Sequence, residues 1–349
     1  MSLKDQETGT MNFPIMENKN RVDFEYLHGK KIWVTGHLGM LGSAVVRSLK
    51  KLDVDLLTTT RAQLDLTNQA DVYHWMNDNK PELIFHVGAK VGGIHANATF
   101  PADFVKENLL IQTNVIDGAY RCGTLKLLFV ASNCTYPKSA PQPIKEDALL
   151  TGSLDENIRA YAVSKIAGIE MCRSYRKQYK RDFVSIIPPN LYGPGDNYHP
   201  DHSHVVAGIL RRTHEAKELD RSDVIVWGDG TPRRELLHVD DLAQAMLWLM
   251  CSTTYYDLYN VGSGYDHAIS ELATMIADIV GFKGKIIYDP SKPNGTMRKL
   301  LDSSRIRALG WRPMIHEKDG LQQAYNDFLE RHILSREVPS NAQLRQVCG

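Results

Sequence analysis

Short apolar runs recur along the chain at 31–35, 54–58, 83–87, 127–131 and 183–187, separated by longer helix-like stretches such as 69–79 and 104–121. Runs of about five residues without polar alternation predict strands buried on both faces, and the stretches between them predict helices that cover those faces. Strand and helix in alternation predict an α/β fold with a doubly wound parallel sheet.

The texture changes after Pro188, where Pro188, Pro189, Gly193, Pro194, Gly195 and Pro200 crowd together and the following elements become shorter and more mixed. A smaller C-terminal α/β lobe is expected there, over 191–349. An apolar helix opening at His238-Val239-Asp240-Asp241-Leu242-Ala243 and running to about 251 is expected to rejoin the first lobe. The first domain therefore reads as 28–190 with about 236–262, interleaved with the second. Residues 1–27 carry Asp5, Glu7, Glu17, Asp23 and Glu25 among polar residues and show no periodicity, which predicts a flexible tail. An organelle-targeting peptide would be Arg-rich and poor in acids, unlike this segment.

Composition narrows the function classes. The 349 residues are 43% hydrophobic and 23% charged, an ordinary globular balance, and the length is a prior for about two domains. Lysine plus arginine and aspartate plus glutamate are 41 each, so no global field draws the protein to nucleic acid or an anionic membrane. No apolar run approaches the ~20 residues that span a bilayer, and a cytoplasmic protein is expected. Five cysteines at 122, 134, 172, 251 and 348, with no CxxC pair, predict neither a disulfide framework nor a metal site.

The first apolar run leads into Thr35-Gly36-His37-Leu38-Gly39-Met40-Leu41-Gly42, which then opens a helix. Glycines in that context let the backbone turn tightly and approach a pyrophosphate at a helix N-terminus, so Gly36, Gly39, Met40, Leu41 and Gly42 are candidate cofactor residues. The second run ends in Thr58-Thr59-Thr60-Arg61, with no acid for a ribose 2′-hydroxyl until Asp65. Arg61 suits a 2′-phosphate, which favours NADP(H).

Tyr161 and Lys165 stand four apart on a predicted helix, so phenol and ammonium share a face, and the ammonium is expected to lower the phenol's proton affinity. Ser132, 29 residues upstream at the C-terminal end of an apolar run, can hydrogen-bond the same carbonyl oxygen. Cys134 lies two residues further on; as a thiolate it could remove a proton α to a ketone. An acid for the opposite face could come from His199, His202 or His204, among which the residues alone do not choose.

The TGxxGxxG spacing resembles the extended short-chain dehydrogenase/reductase superfamily. The strings 88–97, 132–137, 161–168, 190–194, 226–235 and 289–293 are similar to one family within it, the GDP-L-fucose synthases, over about residues 30–330. That resemblance implies a Rossmann-type NADP(H) domain, with Asp65 near the adenine and Asn190 and His204 also at the cofactor. It implies Tyr161 as proton donor to a 4-keto oxygen, Ser132 beside it, Lys165 on the cofactor ribose, Cys134 as epimerisation base and His204 as acid. It further implies Arg212, Trp227, Arg234, Lys285 and Lys299 on the GDP of GDP-4-keto-6-deoxy-mannose, no metal, and a homodimer pairing two long helices. The alternatives are the same chemistry on another GDP-4-keto sugar, of a colitose or deoxy-heptose pathway, and a non-catalytic NADP(H)-binding protein. Leu38 stands where many relatives carry a basic residue, and Asn133 replaces a small hydroxyl residue common beside Ser132.

Overall fold

A computed structural model describes residues 23–200, 203–292 and 294–337. The first half alternates strand and helix: β1 (Lys31–Thr35), α1 (Met40–Leu49), β2 (Asp55–Thr58), α2 (Gln69–Asn79), β3 (Leu83–His86), α3 (Ile94–Thr99), α4 (Pro101–Cys122), β4 (Lys126–Val130), α5 (Arg159–Tyr179) and β5 (Asp182–Ile187). Next come β6 (Asn190–Tyr192), α6 (Val205–Glu218), β7 (Asp223–Trp227), β8 (Arg233–His238), α7 (Val239–Cys251), β9 (Leu258–Asn260) and β10 (Asp266–Ala268). The chain continues through α8 (Ile269–Val280), β11 (Lys285–Asp289), β12 (Arg298–Lys299), α9 (Ser304–Ala308) and α10 (Glu317–Glu337).

The main sheet has the order β2-β1-β3-β4-β5-β9, parallel throughout. The central strands β1, β3, β4 and β5 are apolar along most of their length because alternate side chains enter different cores. Ile32, Val34, Phe85, Leu128 and Val130 pack with α1 and α7. Trp33, Ile84, Leu127 and Phe129 pack with α2, α4 and α5. The sheet is thus covered on both faces, and α7 reaches it from the far side of a chain excursion.

That excursion begins where Pro188 and Pro189, which cannot donate to a ladder, follow β5. Immediately afterwards β6 pairs with β8 rather than with β5. β8 also pairs with β10 and β12, while β7 and β11 form a separate parallel ribbon, and α6, α8 and α10 enclose the third core. Residues 24–27, assigned by sequence to a flexible tail, instead form a single turn capped by Asp23, with Leu27 fully buried. One apolar residue anchors the turn in the core of α1 and α7. The remainder of the expected tail, residues 1–22, lies outside the described residues, as does Cys348. Among the described residues no helix is long and apolar enough to cross a membrane.

Helix α5 crosses β4 where Gly168 faces the buried Phe129 ring. A Cβ at Gly168 would lie 2.4 Å from the Phe129 Cζ. Gly168→Ala should lower stability by about 1–3 kcal/mol through overpacking, against at most about 1 kcal/mol gained in helix propensity. The measurement is the urea midpoint at unchanged slope; a midpoint equal to or above wild type would show that the crossing can dilate.

Candidate active site

Parallel strands that end together gather their following loops along one sheet edge. The turn after β1 is built for close approach. Gly36 has φ +67°, and a Cβ there would lie 2.7 Å from the Gly88 Cα; a Cβ at Gly42 would lie 2.1 Å from the Gly36 carbonyl oxygen. Gly39 caps α1 without a side chain, and its N–H donates to the Gly36 carbonyl at 3.0 Å. Met40 is half-buried and Leu41 is in the core, so this segment offers a ligand chiefly backbone. The loop after β6 closes over it: a Cβ at Gly195 would approach the Met40 Cα to 3.3 Å, and the Gly195 N–H donates to Asp327 of α10 at 2.9 Å. These glycines form a cradle that any side chain would fill, next to a helix N-terminus, which fits a dinucleotide pyrophosphate.

Beyond β2, Arg61 is largely exposed and pairs at 3.7 Å with both Asp65 and Glu107. Asp65 also accepts from the Thr67 backbone and hydroxyl, which hold its carboxyl below the usual range. Glu107 takes a second cation, Lys90, from the loop after β3. Sequence reasoning singled out Arg61 and Asp65 here but not Lys90, which joins them only through the fold. Leu38 is exposed.

At the end of β4, Ser132 caps a short turn over Asn133–Thr135, and its Oγ accepts from the Cys134 N–H at 3.4 Å. Lys165 reaches in from α5; its Nζ donates to the Val130 carbonyl at 3.0 Å and stands 4.9 Å from the Phe129 ring centre and 5.9 Å from that of Tyr161. Phe104 meets Tyr161 edge-on. Lys299, on β12, donates to the Asn133 carbonyl at 3.5 Å. The structure thus brings Ser132, Cys134, Tyr161, Lys165 and Lys299 together.

Desolvation dominates their electrostatics. Burial brings Lys165 down to about 8 and raises the Cys134 thiol, an effect opposed first by Lys299, then by the Ser132 hydrogen bond and Lys165. Burial also pushes the Tyr161 phenol well above its ordinary range, with Cys134 adding to the rise. The expected lowering of Tyr161 by Lys165 does not occur: the ammonium points at a carbonyl rather than the phenol and is itself weakened by burial. Tyr161 rests protonated, the state of a proton donor.

His204 caps the N-terminus of α6, solvent-accessible yet surrounded closely enough that desolvation lowers its proton affinity. His202 lies outside the described residues. Asn190, half-buried, opens β6 opposite Leu236.

In the second lobe Arg212 stands 5.8 Å from the Trp227 ring centre, and Lys292 stands at the same distance from that ring. Trp227 is half exposed, and the Arg212 Nε is buried without a hydrogen-bond partner among the described residues. An open aromatic plate between two cations, one incompletely satisfied, fits an anionic aromatic ligand such as a nucleotide. Of the two neighbouring arginines, Arg233 is held by Asp266 at 2.7 Å. Arg234 is instead half-buried and donates to the Thr296 and Asn294 carbonyls. Lys285 does not join this group: it is exposed and pairs in register with Asp223 at the start of β7, whereas Trp227 at the other end pairs with Asp289. Four residues of strand separate the two ends by about 13 Å. Lys292, not Lys285, stands beside Trp227, and Lys299 lies against the turn that carries Cys134.

The model of the NAD dependent epimerase/dehydratase family matches residues 32–262, and the chain belongs to that family. Among its relatives, "Putative GDP-L-fucose synthase 2" of Arabidopsis thaliana is 51% identical over 88% of this chain and 94% of its own. The GDP-L-fucose synthase of Escherichia coli K12 is 46% identical over 86% and 97%. A crystal structure of a GDP-L-fucose synthetase from Naegleria fowleri bound to NADP superposes with a TM-score of 0.81 at 26% identity, covering 88% of this chain and 94% of that one.

Gly42→Ala should force the turn open without touching the sheet, because the added methyl would overlap the Gly36 carbonyl. Calorimetric titration should show affinity for the dinucleotide lowered about 100-fold or more, with far-ultraviolet circular dichroism unchanged; wild-type affinity would mean the cradle is not where the pyrophosphate sits.

Proposed function

We propose that this protein converts GDP-4-keto-6-deoxy-D-mannose to GDP-L-fucose, inverting C3 and C5 and then reducing C4 with NADPH. The observation that carries the reading is the meeting of the Tyr161 phenol, the Ser132 hydroxyl and the buried Cys134 thiol at one strand end, beside the ammonium groups of Lys165 and Lys299. The names of relatives about half identical over most of the chain support the substrate.

In this reading residues 28–190 with 236–262 hold the cofactor, and the rest of 191–349 holds the GDP-sugar. Gly36, Gly39 and Gly42 admit the pyrophosphate against the start of α1, Arg61 meets the 2′-phosphate, and Lys165 binds ribose hydroxyls. NADPH, when bound, supplies the hydride that C4 receives. Arg212, Trp227 and Lys292 grip the nucleotide end of the substrate, and Arg234 lies further in. The C4 ketone acidifies the hydrogens at C3 and C5; Cys134 removes them, and His204 returns protons on the opposite face. Tyr161 gives its proton to the C4 oxygen while Ser132 holds that oxygen by a hydrogen bond. Cys134 is raised and His204 lowered, so at neutral pH both rest uncharged; for exchange at C3 or C5 the thiol must first give its proton to solvent and His204 must take one up, so that the pair works as thiolate base and imidazolium acid.

The test is to mix protein, NADPH and the keto sugar in D2O, following nicotinamide absorbance and the proton NMR of the sugar. Wild type should consume NADPH and place deuterium at C3 and C5, and Cys134→Ser should lose the exchange. NADPH consumption without exchange would make the protein a simple C4 reductase.

The reading includes a homodimer formed by α4 and α5, on which Leu110 and Val163 are exposed apolar side chains. Light scattering should give twice the 39.4 kDa chain mass, falling to one mass when both residues are changed to Asp. A wild-type mass of one chain would overturn the dimer.

A further inference from the structure

The backbone around Lys299 is fixed from two sides. On one, β12 pairs with β8 in the register Lys299↔Arg234, and the Leu301 N–H donates to the buried Glu235 at 2.8 Å. On the other, the Ile144 N–H donates to the Leu300 carbonyl at 2.7 Å, the Asp302 N–H donates to the Ile144 carbonyl at 2.8 Å, and the Leu300 N–H donates to Gln142 Oε1 at 2.8 Å. Alternation along the strand turns Arg298 out to Asp266 and Lys299 in toward residue 133. Lys299 is 9% exposed, and among the described residues it forms no ion pair with a carboxylate. A buried ammonium in that position needs a compensating negative charge.

The ionisable groups acting on Lys299 are Cys134, Asp155 and Arg234. Asp155 acts on Lys299 without forming an ion pair with it among the described residues, its Oδ2 accepting from the Thr296 hydroxyl at 3.2 Å, and Arg234 has the same sign as Lys299. The groups facing Cys134 are Ser132 on its own turn, Lys165 and Tyr161 on α5, and Lys299 on β12. Lys165 is directed to the Val130 carbonyl, so Lys299 is the cation held against the turn that carries the thiol.

We propose that Lys299 is a positioning residue for Cys134, its ammonium stabilising the thiolate that Cys134 must become to take a proton from C3 or C5. The inference rests on the reading of Cys134 as the epimerisation base. It also gives the second lobe a part in the chemistry: β12 delivers to the end of β4 the charge that a buried thiolate requires.

The experiment compares wild type with Lys299→Gln, which keeps a donor toward the Asn133 carbonyl but loses the charge, and Lys299→Arg, which keeps the charge. Alkylation of Cys134 by iodoacetamide is followed against pH by mass spectrometry of its peptide, beside C3 and C5 exchange in D2O. In Lys299→Gln both profiles should move to higher pH by about 1 unit, a roughly tenfold slower reaction at fixed pH below the midpoint. Lys299→Arg should stay near wild type. An unmoved alkylation profile in Lys299→Gln would overturn the proposal, including when the only change is a higher KM for the sugar. Lys299→Met is read the same way should the Gln variant not fold. Exchange persisting in Cys134→Ser, with the alkylation profile still moving in Lys299→Gln, would retire Cys134 as base while supporting the pairing.

Discussion

Two ammonium groups are buried at the end of one parallel strand, and the geometry of the site follows from what that burial demands. Lys165 and Lys299 are both almost removed from water, and each takes a backbone carbonyl, Val130 and Asn133 respectively, in place of lost hydration. Both carbonyls lie at the end of the ladder, whose last bond runs from the Ala131 N–H to the Ile186 carbonyl at 2.8 Å. The strand end therefore fixes α5 through Lys165 and β12 through Lys299. Tyr161 and Cys134 lie between them, and the desolvation that weakens the cations also keeps both as neutral acids at rest.

The dinucleotide cradle obeys a different constraint, the exclusion of side chains. Gly36, Gly42 and Gly88 stand so close that any Cβ at the first two positions would overlap backbone. Thr35 stabilises this crowding: its Oγ1 accepts from the Gly88 N–H at 2.9 Å and pairs with His86 Nδ1 at 2.9 Å. Burial brings His86 down to about 3, so a neutral ring rather than a second cation lies under the turn. Position 38 is open to solvent and contributes nothing to the packing, which is why a leucine is tolerated there without altering the cradle.

Much of the first domain was legible because each signal was local. Residues apolar at every position mark strands buried on both faces, and the helix expected at 69–79 has those same bounds, with Asn68 capping its start. The glycine spacing, the Tyr161–Lys165 pair and Ser132 all sit at strand ends or on one helix face, where sequence separation fixes spatial separation. The second lobe was harder because its cations are placed by strand pairing. Lys285, Lys292 and Lys299 are equivalent in the sequence; the register of β11 on β7 sends the first away from Trp227, a turn carries the second over it, and β12 delivers the third to Cys134. The direction of the Tyr161 shift was equally hidden, since i, i+4 spacing brings phenol and ammonium near each other without revealing that the ammonium is aimed at a carbonyl.

The same register explains how two lobes make one site. Glu235 follows Arg234 on β8 and faces the opposite way, accepting from the Gly264 and Leu301 N–H groups, and burial holds its carboxyl up at about 7. It ties β12 to the loop after β9, the last strand of the main sheet, while residues 142–144 of the first domain clamp β12 from the other side. A rotation of one lobe against the other would have to break these backbone bonds before it could move Lys299 from residue 133. The position of Lys299 is therefore set jointly by its pairing with β8 and by the hydrogen bonds of residues 142–144. A short strand held along both edges, rather than a free loop, keeps the buried cation close to the turn that carries the thiol.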